Sequence, residues 1–207
     1  MLNRFFSFLV LSFCALCTFG QNYRIGFDCG LSISKPKGEC PLTGYHIGVH
    51  TEKDFSLNDT FFLCTSLGLA SKGWSYKLYS LENEKDTYKQ NCRLYYLELP
   101  LDCGYKFVIN KQCKFLIVFG PYFGIGLFGK NKITNYPETL SDEGDPFKLG
   151  TYKRFDWGGQ FGGGIEINSH YQITAKYSYS MEKPTKGKWN TLNPKDRTTS
   201  ISCIYLF

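Results

Sequence analysis

An all-β fold, eight antiparallel strands closed into an up-and-down transmembrane β-barrel, is what this sequence predicts. Three observations carry it. Residues separate by parity along most of the chain, a period of two that belongs to strands. An apolar or aromatic residue alternates with glycine, a small polar residue or a charge. The connections between alternating runs are by turns long and short. A soluble barrel would hold its apolar face inside. Here the glycines, which suit a crowded interior, sit on the polar face. The aromatic face is then the outside, and an apolar outside needs lipid.

The strands follow in order. The first runs near Tyr23 to Ser34, with Ile25, Phe27, Cys29 and Leu31 against Arg24, Gly26, Asp28 and Gly30. The second, near Gly44 to Thr51, sets Tyr45, Ile47 and Val49 against His46, Gly48 and His50. The third spans about Thr60 to Lys72 and the fourth about Arg93 to Phe107, where Tyr95, Leu97 and Leu99 oppose Tyr96, Glu98 and Pro100. The fifth covers Lys114 to Phe128. The sixth and seventh show the cleanest parity: Phe155, Trp157, Phe161 and Ile165, then Tyr171, Ile173 and Tyr177. The eighth, near Thr199 to Phe207, carries Ile201, Cys203, Tyr205 and Phe207 outward. Connections at 35–43, 73–92, 129–153 and 181–198 are long and polar, whereas those at 52–59, 108–113 and 168–170 are shorter. Short turns on one side and long loops on the other are the habit of outer-membrane barrels. Both chain ends then lie on the periplasmic side.

Aromatic residues make up 17% of the chain, yet mean hydropathy is only −0.26. Polar lumen positions dilute the lipid-facing ones. The longest apolar run in the body of the chain, Phe115 to Phe128, is broken by glycine and proline, and a spanning helix needs about 20 residues. Residues 1–20 read as a cleaved signal peptide: Arg4, an apolar stretch from Phe5 to Phe19, and Thr18-Phe19-Gly20 at the cleavage position. Residues 21–207 form the barrel domain. The formal charge of +6 is modest and its bases dispersed, which excludes a nucleic-acid role.

Beyond the signal segment lie seven of the nine cysteines, an odd number that argues against a disulfide framework. Parity puts Cys29, Cys103 and Cys203 on the lipid face as small hydrophobes. Cys40 and Cys92, both near the outer rim, are the candidate disulfide. No Cys/His spacing suggests a metal site, and no cofactor is expected.

Three segments carry a family resemblance: Leu94 to Leu101 (LYYLELPL), Phe119 to Gly124 (FGPYFG) and Phe155 to Gly164 (FDWGGQFGGG). They resemble the small outer-membrane β-barrels of Bacteroidetes labelled PorT-like. The resemblance covers strands four to eight and hardly touches the loops. It implies an outer-membrane location and a barrel, and little about activity. Tyr205 and the terminal Phe207 resemble the signal read by the barrel assembly machinery.

An eight-stranded barrel is just wide enough for side chains to fill it. The inward charges Arg24, Asp28, Glu98, Asp102, Lys106, Asp156, Glu166 and Lys176 should therefore pair, because isolated charge there is costly. A polar structural plug is the expected result, and a narrow ion path the sharper alternative. His46 with Ser32 and Ser34 is the one candidate catalytic group, and it lacks a nucleophile signature such as G-x-S-x-G. The leading expectation is a non-enzymatic barrel with a structural or surface-interaction role. The alternatives are a small pore or secretion-machine subunit, and a lipid-modifying enzyme. Expected partners are outer-membrane lipids and lipopolysaccharide, the assembly machinery during insertion, and a surface or periplasmic protein. The basic connection with Lys183, Lys186, Lys188, Lys195 and Arg197 suits anionic headgroups.

Overall fold

A computed structural model of the chain describes residues 23–35, 40–55, 60–79, 87–134, 145–148, 152–182 and 196–207. The signal segment, most of the loop at 129–153 and most of the basic loop lie outside the described residues. Eight strands follow one another: β1 (Tyr23–Ser34), β2 (Cys40–Asp54), β3 (Phe61–Tyr79), β4 (Thr87–Val108), β5 (Cys113–Thr134), β6 (Phe155–Ile167), β7 (Tyr171–Ser180) and β8 (Arg197–Leu206). Each pairs antiparallel with the next, and β8 returns to β1 to close the barrel. Closure removes every sheet edge within the paired region, so backbone groups are satisfied without water.

The faces are as the parity predicts. Phe27, Leu31, Ile47, Phe61, Phe119, Phe161 and Ile201 are exposed on the outside, while Asp28, His50, Asp102, Lys106, Glu166 and Ser202 are buried within. No helix among the described residues is long and apolar enough to cross a membrane; the strands do the crossing. Glycine on the inner face leaves space for long side chains. A Cβ at Gly162 would stand 2.8 Å from Lys176 Cγ, so the lysine stem crosses the sheet only because that position is bare.

One short turn is tight: Asn168 and Ser169 adopt φ of 52° and 62°, and His170 N–H donates to Ile167 O at 3.2 Å. Two successive left-handed residues give the turn the twist that suits a hairpin, with His170 as the third residue of the connection before Tyr171 pairs with Ile167. At the β4–β5 turn the Asn110 side chain accepts from Gln112 N–H at 2.9 Å and Cys113 N–H at 2.7 Å, an Asx turn.

Several strands are longer than their alternation predicts. β2 continues to Asp54, and the β3–β4 ladder continues to Tyr79 opposite Thr87. Much of the predicted 73–92 loop is therefore paired strand. β4 and β5 hold 22 residues each, β7 and β8 only 10. About 9–11 residues cross a bilayer, so β3, β4 and β5 stand well above the rim, at the end away from Tyr23 and Phe207. A bulge interrupts the β4–β5 register: Tyr95 faces Phe128 while Tyr96 faces Gly126. Leu127 is the extra residue, and it shifts the parity beyond it. Phe128 is thereby exposed and stacks on Tyr95 with centroids 4.5 Å apart.

Candidate functional site: a plugged lumen

The inward side chains form three polar layers and a stopper. The first layer lies at the end of the barrel that holds Tyr23 and Phe207. The Arg24 guanidinium donates to Glu166 at 2.8 Å and to Glu52, with Asp54 3.7 Å away. Lys106, with a side chain 0% exposed, contacts Glu52, Asp54 at 2.9 Å and Glu166 at 3.5 Å. The Gln172 amide donates to both Glu52 and Glu166 at 2.8 Å. Lys114 reaches Glu166 at 3.5 Å. Three bases thus face three acids and the layer is neutral. Lys106 Nζ stands 4.7 Å from the Phe62 ring centroid, and Phe62, Cys64, Leu116 and Val118 form an apolar collar beside it.

In the middle layer Lys176 Nζ pairs with Asp102 at 2.9 Å, and Gln160 donates to both oxygens of the same carboxylate at 2.8 Å. Beside this pair runs a chain of contacts through two histidines, two serines and Asp28. His50 Nδ1 lies 2.8 Å from Ser66 Oγ, Ser66 donates to Asp28 at 3.1 Å, and Asp28 lies 3.4 Å from His46 Nε2. His46 Nε2 also lies 2.9 Å from Ser202 Oγ. A cavity of about 80 Å³ opens here, lined by Asp28, His46, Ser66, Lys176 and Ser202 among others. It is polar and roomy enough for a few waters.

The outer layer centres on Lys72, which contacts Glu98 and lies 3.0 Å from Asp156. Tyr122 O–H donates to Asp156 at 3.2 Å, and Ser180 O–H donates to its other oxygen. Above it Trp74, Cys92, Leu94, Tyr96, Phe147 and Tyr152 pack as one buried cluster. Phe147 comes from the connection after β5. A Cβ on Gly126 would fall 2.3 Å from Phe147 Cζ, so glycine is what admits the ring. Asp145 fixes the segment by accepting from Gly129 N–H at 3.1 Å and Phe147 N–H at 3.0 Å. At the rim just before β8, Asp196 is buried and one of its oxygens has no partner. Burial pushes its carboxyl up to about 6.

With the geometry in view, the sequence matches a family model described as an outer membrane protein beta-barrel domain, over residues 19–184. The chain belongs to that family. It is an outer-membrane β-barrel protein. No curated protein matches it. Solved structures with a similar fold include Ail, the attachment invasion locus protein of Yersinia pestis, at 16% identity and a TM-score of 0.42, covering 90% of this chain and 100% of that one. Neisserial surface protein A has 9% identity and a TM-score of 0.47, over 90% and 96%. The outer membrane enzyme PagL has 11% identity and a TM-score of 0.46, over 86% and 98%.

In this outer-membrane barrel the inward charges read from sequence fall into separate layers. Arg24, Lys106 and Glu166 meet in the first, Asp28, Asp102 and Lys176 in the second, Glu98 and Asp156 in the third. Sequence reasoning missed Glu52, Asp54, Lys72, Lys114 and Gln172 as network members. Glu52 and Asp54 fall in the expected 52–59 connection, although even parity simply continues from His50 through both. Lys72 stands at the expected end of the third strand, where alternation alone gives it no partner.

The strand register keeps the candidate pair Cys40 and Cys92 apart. Cys40 stands opposite Ser75 and Cys92 opposite Trp74, so all of β3 lies between them. Two strand spacings, about 9.5 Å, exceed the roughly 7 Å that a disulfide tolerates. His46 uses the same Nε2 toward Asp28 and Ser202, whereas an acid–base relay needs both ring nitrogens. Ser32 O–H donates to Ser71 O at 3.4 Å and Ser34 Oγ lies 3.0 Å from Thr198 Oγ1; neither is engaged with His46. Phe207 N–H donates to Ile25 O at 2.8 Å, and its ring meets Phe27 at 5.6 Å and Tyr205 at 5.3 Å.

Proposed function

We propose that this protein is a non-enzymatic outer-membrane barrel of the PorT-like kind, with a structural or surface-interaction role. A cleaved signal peptide, residues 1–20, exports the chain; residues 21–207 are the barrel domain, with both termini in the periplasm. Tyr205 and Phe207 present the assembly signal. The loops at the far rim engage lipopolysaccharide headgroups or a surface partner. No cofactor takes part.

The plugged lumen is the observation that carries this reading. An ion crossing it would meet Trp74, Tyr96 and Phe147 at one end, and the Arg24, Glu52, Lys106 and Glu166 cluster at the other. Passage would break buried ion pairs, a loss of about 3–5 kcal/mol when one partner is taken from a buried pair. A barrel built this way offers its outer surface and loops rather than a route.

Planar-bilayer recording of the purified barrel tests the reading. The expected trace is flat at moderate voltage. Steady single-channel steps that vanish in Glu98→Gln would overturn it in favour of a transport role.

A further inference from the structure

We propose that Cys29 and Cys203 form a disulfide across the closing seam of the barrel. The two are direct partners in the β1–β8 register. Both are exposed on the outer face and both are free thiols in this structure. Among the described residues no other two cysteines stand opposite one another in any strand pair. β1 and β8 are the first and last strands, so their junction is the one seam that joins elements remote in sequence.

The register brings the two Cα atoms within disulfide range. Across this seam Phe207 N–H donates to Ile25 O, and Lys35 N–H to Arg197 O, both at 2.8 Å. Hydrogen-bonded and non-hydrogen-bonded pairs alternate along an antiparallel ladder. The odd residues of β1 therefore occupy hydrogen-bonded pairs, and Cys29 with Cys203 is one of them. Such pairs hold their Cα atoms about 5.5 Å apart, the separation most common in disulfides. Their Cβ atoms start about 5.5 Å apart, the wide end of the cross-strand range that hydrogen-bonded pairs occupy, and must close to about 4 Å, so the bond draws the two strands together by about 1.5 Å at this point. A strained bond of this kind is more easily reduced than a relaxed one.

An outer-membrane protein reaches its site through the periplasm, where disulfides form. The chemistry is exchange. One cysteine, as thiolate, attacks the disulfide of a periplasmic thiol oxidant and gives a mixed disulfide. The second cysteine then displaces the oxidant's remaining sulfur. Two S–H bonds of the barrel are lost and one S–S bond forms. The oxidant's S–S bond is reduced to two thiols, which take the two electrons and two protons. The step belongs before insertion is complete, while both thiols still face water. Its product is a covalent ring that prevents β1 and β8 from parting.

The test uses the full chain in isolated outer membranes, quenched with N-ethylmaleimide before lysis. Denatured without reductant, the ringed chain should run faster than the linear one. Dithiothreitol, Cys29→Ser or Cys203→Ser should each restore the slower mobility. Proteolysis should yield one linked peptide pair containing both cysteines. The double variant Cys29→Ala/Cys203→Ala should still show heat-modifiable mobility, which separates loss of the ring from loss of the fold. Recovery of both cysteines as maleimide adducts overturns the proposal, and so does a linkage of either one to another chain.

Discussion

At the scale of single residues the lumen is a problem of charge compensation. Lys106 is fully buried and Glu52 with it, so neither has solvent to fall back on. Removing one partner leaves the others uncompensated. Glu52→Gln should destabilise the folded barrel by about 3–5 kcal/mol, read as a lower urea midpoint of the heat-modifiable band; an unchanged midpoint would mean that the layer adds nothing. Asp196 gives a pH signature. Burial raises its folded carboxyl to about 6, above the ordinary value of 3.8, so the folded state binds the proton more tightly than the unfolded one. Its ionisation therefore costs stability above pH 6, and that cost is relieved as pH falls toward 4. Asp196→Asn should flatten the fall in stability between pH 4 and 6, by on the order of 2 kcal/mol; identical pH profiles would contradict this. Which residues face inward was legible in sequence, because parity alone decides it. Which ones pair was not. The contact of Arg24 with Glu166 joins β1 to β6 across the lumen, 142 residues apart in sequence, and exists only once the barrel closes.

At the scale of strands, alternation located all eight, cut β2 short at both ends and misjudged above all the outer ends of β3, β4 and β5. The reason is physical. Above the bilayer the outward face meets water, so nothing selects apolar residues there and the signal fades, although the β3–β4 ladder continues to Tyr79 and Thr87. The bulge was equally invisible, since Leu127 and Phe128 are both apolar and both exposed. Parity makes a sharp prediction about deletions. Removing Leu127 leaves Gly126 inside and Phe128 outside in continuous register, and the protein should remain heat-modifiable. Removing Ile201 turns Tyr205 and Phe207 inward and Ile204 outward, because a one-residue slip exchanges the faces. That chain should not fold. Equal behaviour of the two deletions would show that facing does not govern assembly.

At the scale of the whole molecule the barrel inverts the soluble arrangement. Its ionic contacts are central and its aromatic residues surround them. Lipid stabilises the outside; neutral clusters, hydroxyls and a small polar cavity fill the inside; Phe147 and its neighbours close the far mouth. Family membership and parity agree on this plan, and both rest on which face meets lipid. Trp157 reports on that face directly. It projects from β6 and is 43% exposed, whereas Trp74 is buried in the mouth. In a variant carrying Trp74→Phe and Trp189→Phe, reconstituted into vesicles with bromine-labelled acyl chains, its fluorescence should be strongly quenched relative to unlabelled vesicles. Emission indifferent to the bromine would put the aromatic face out of contact with lipid and contradict the account.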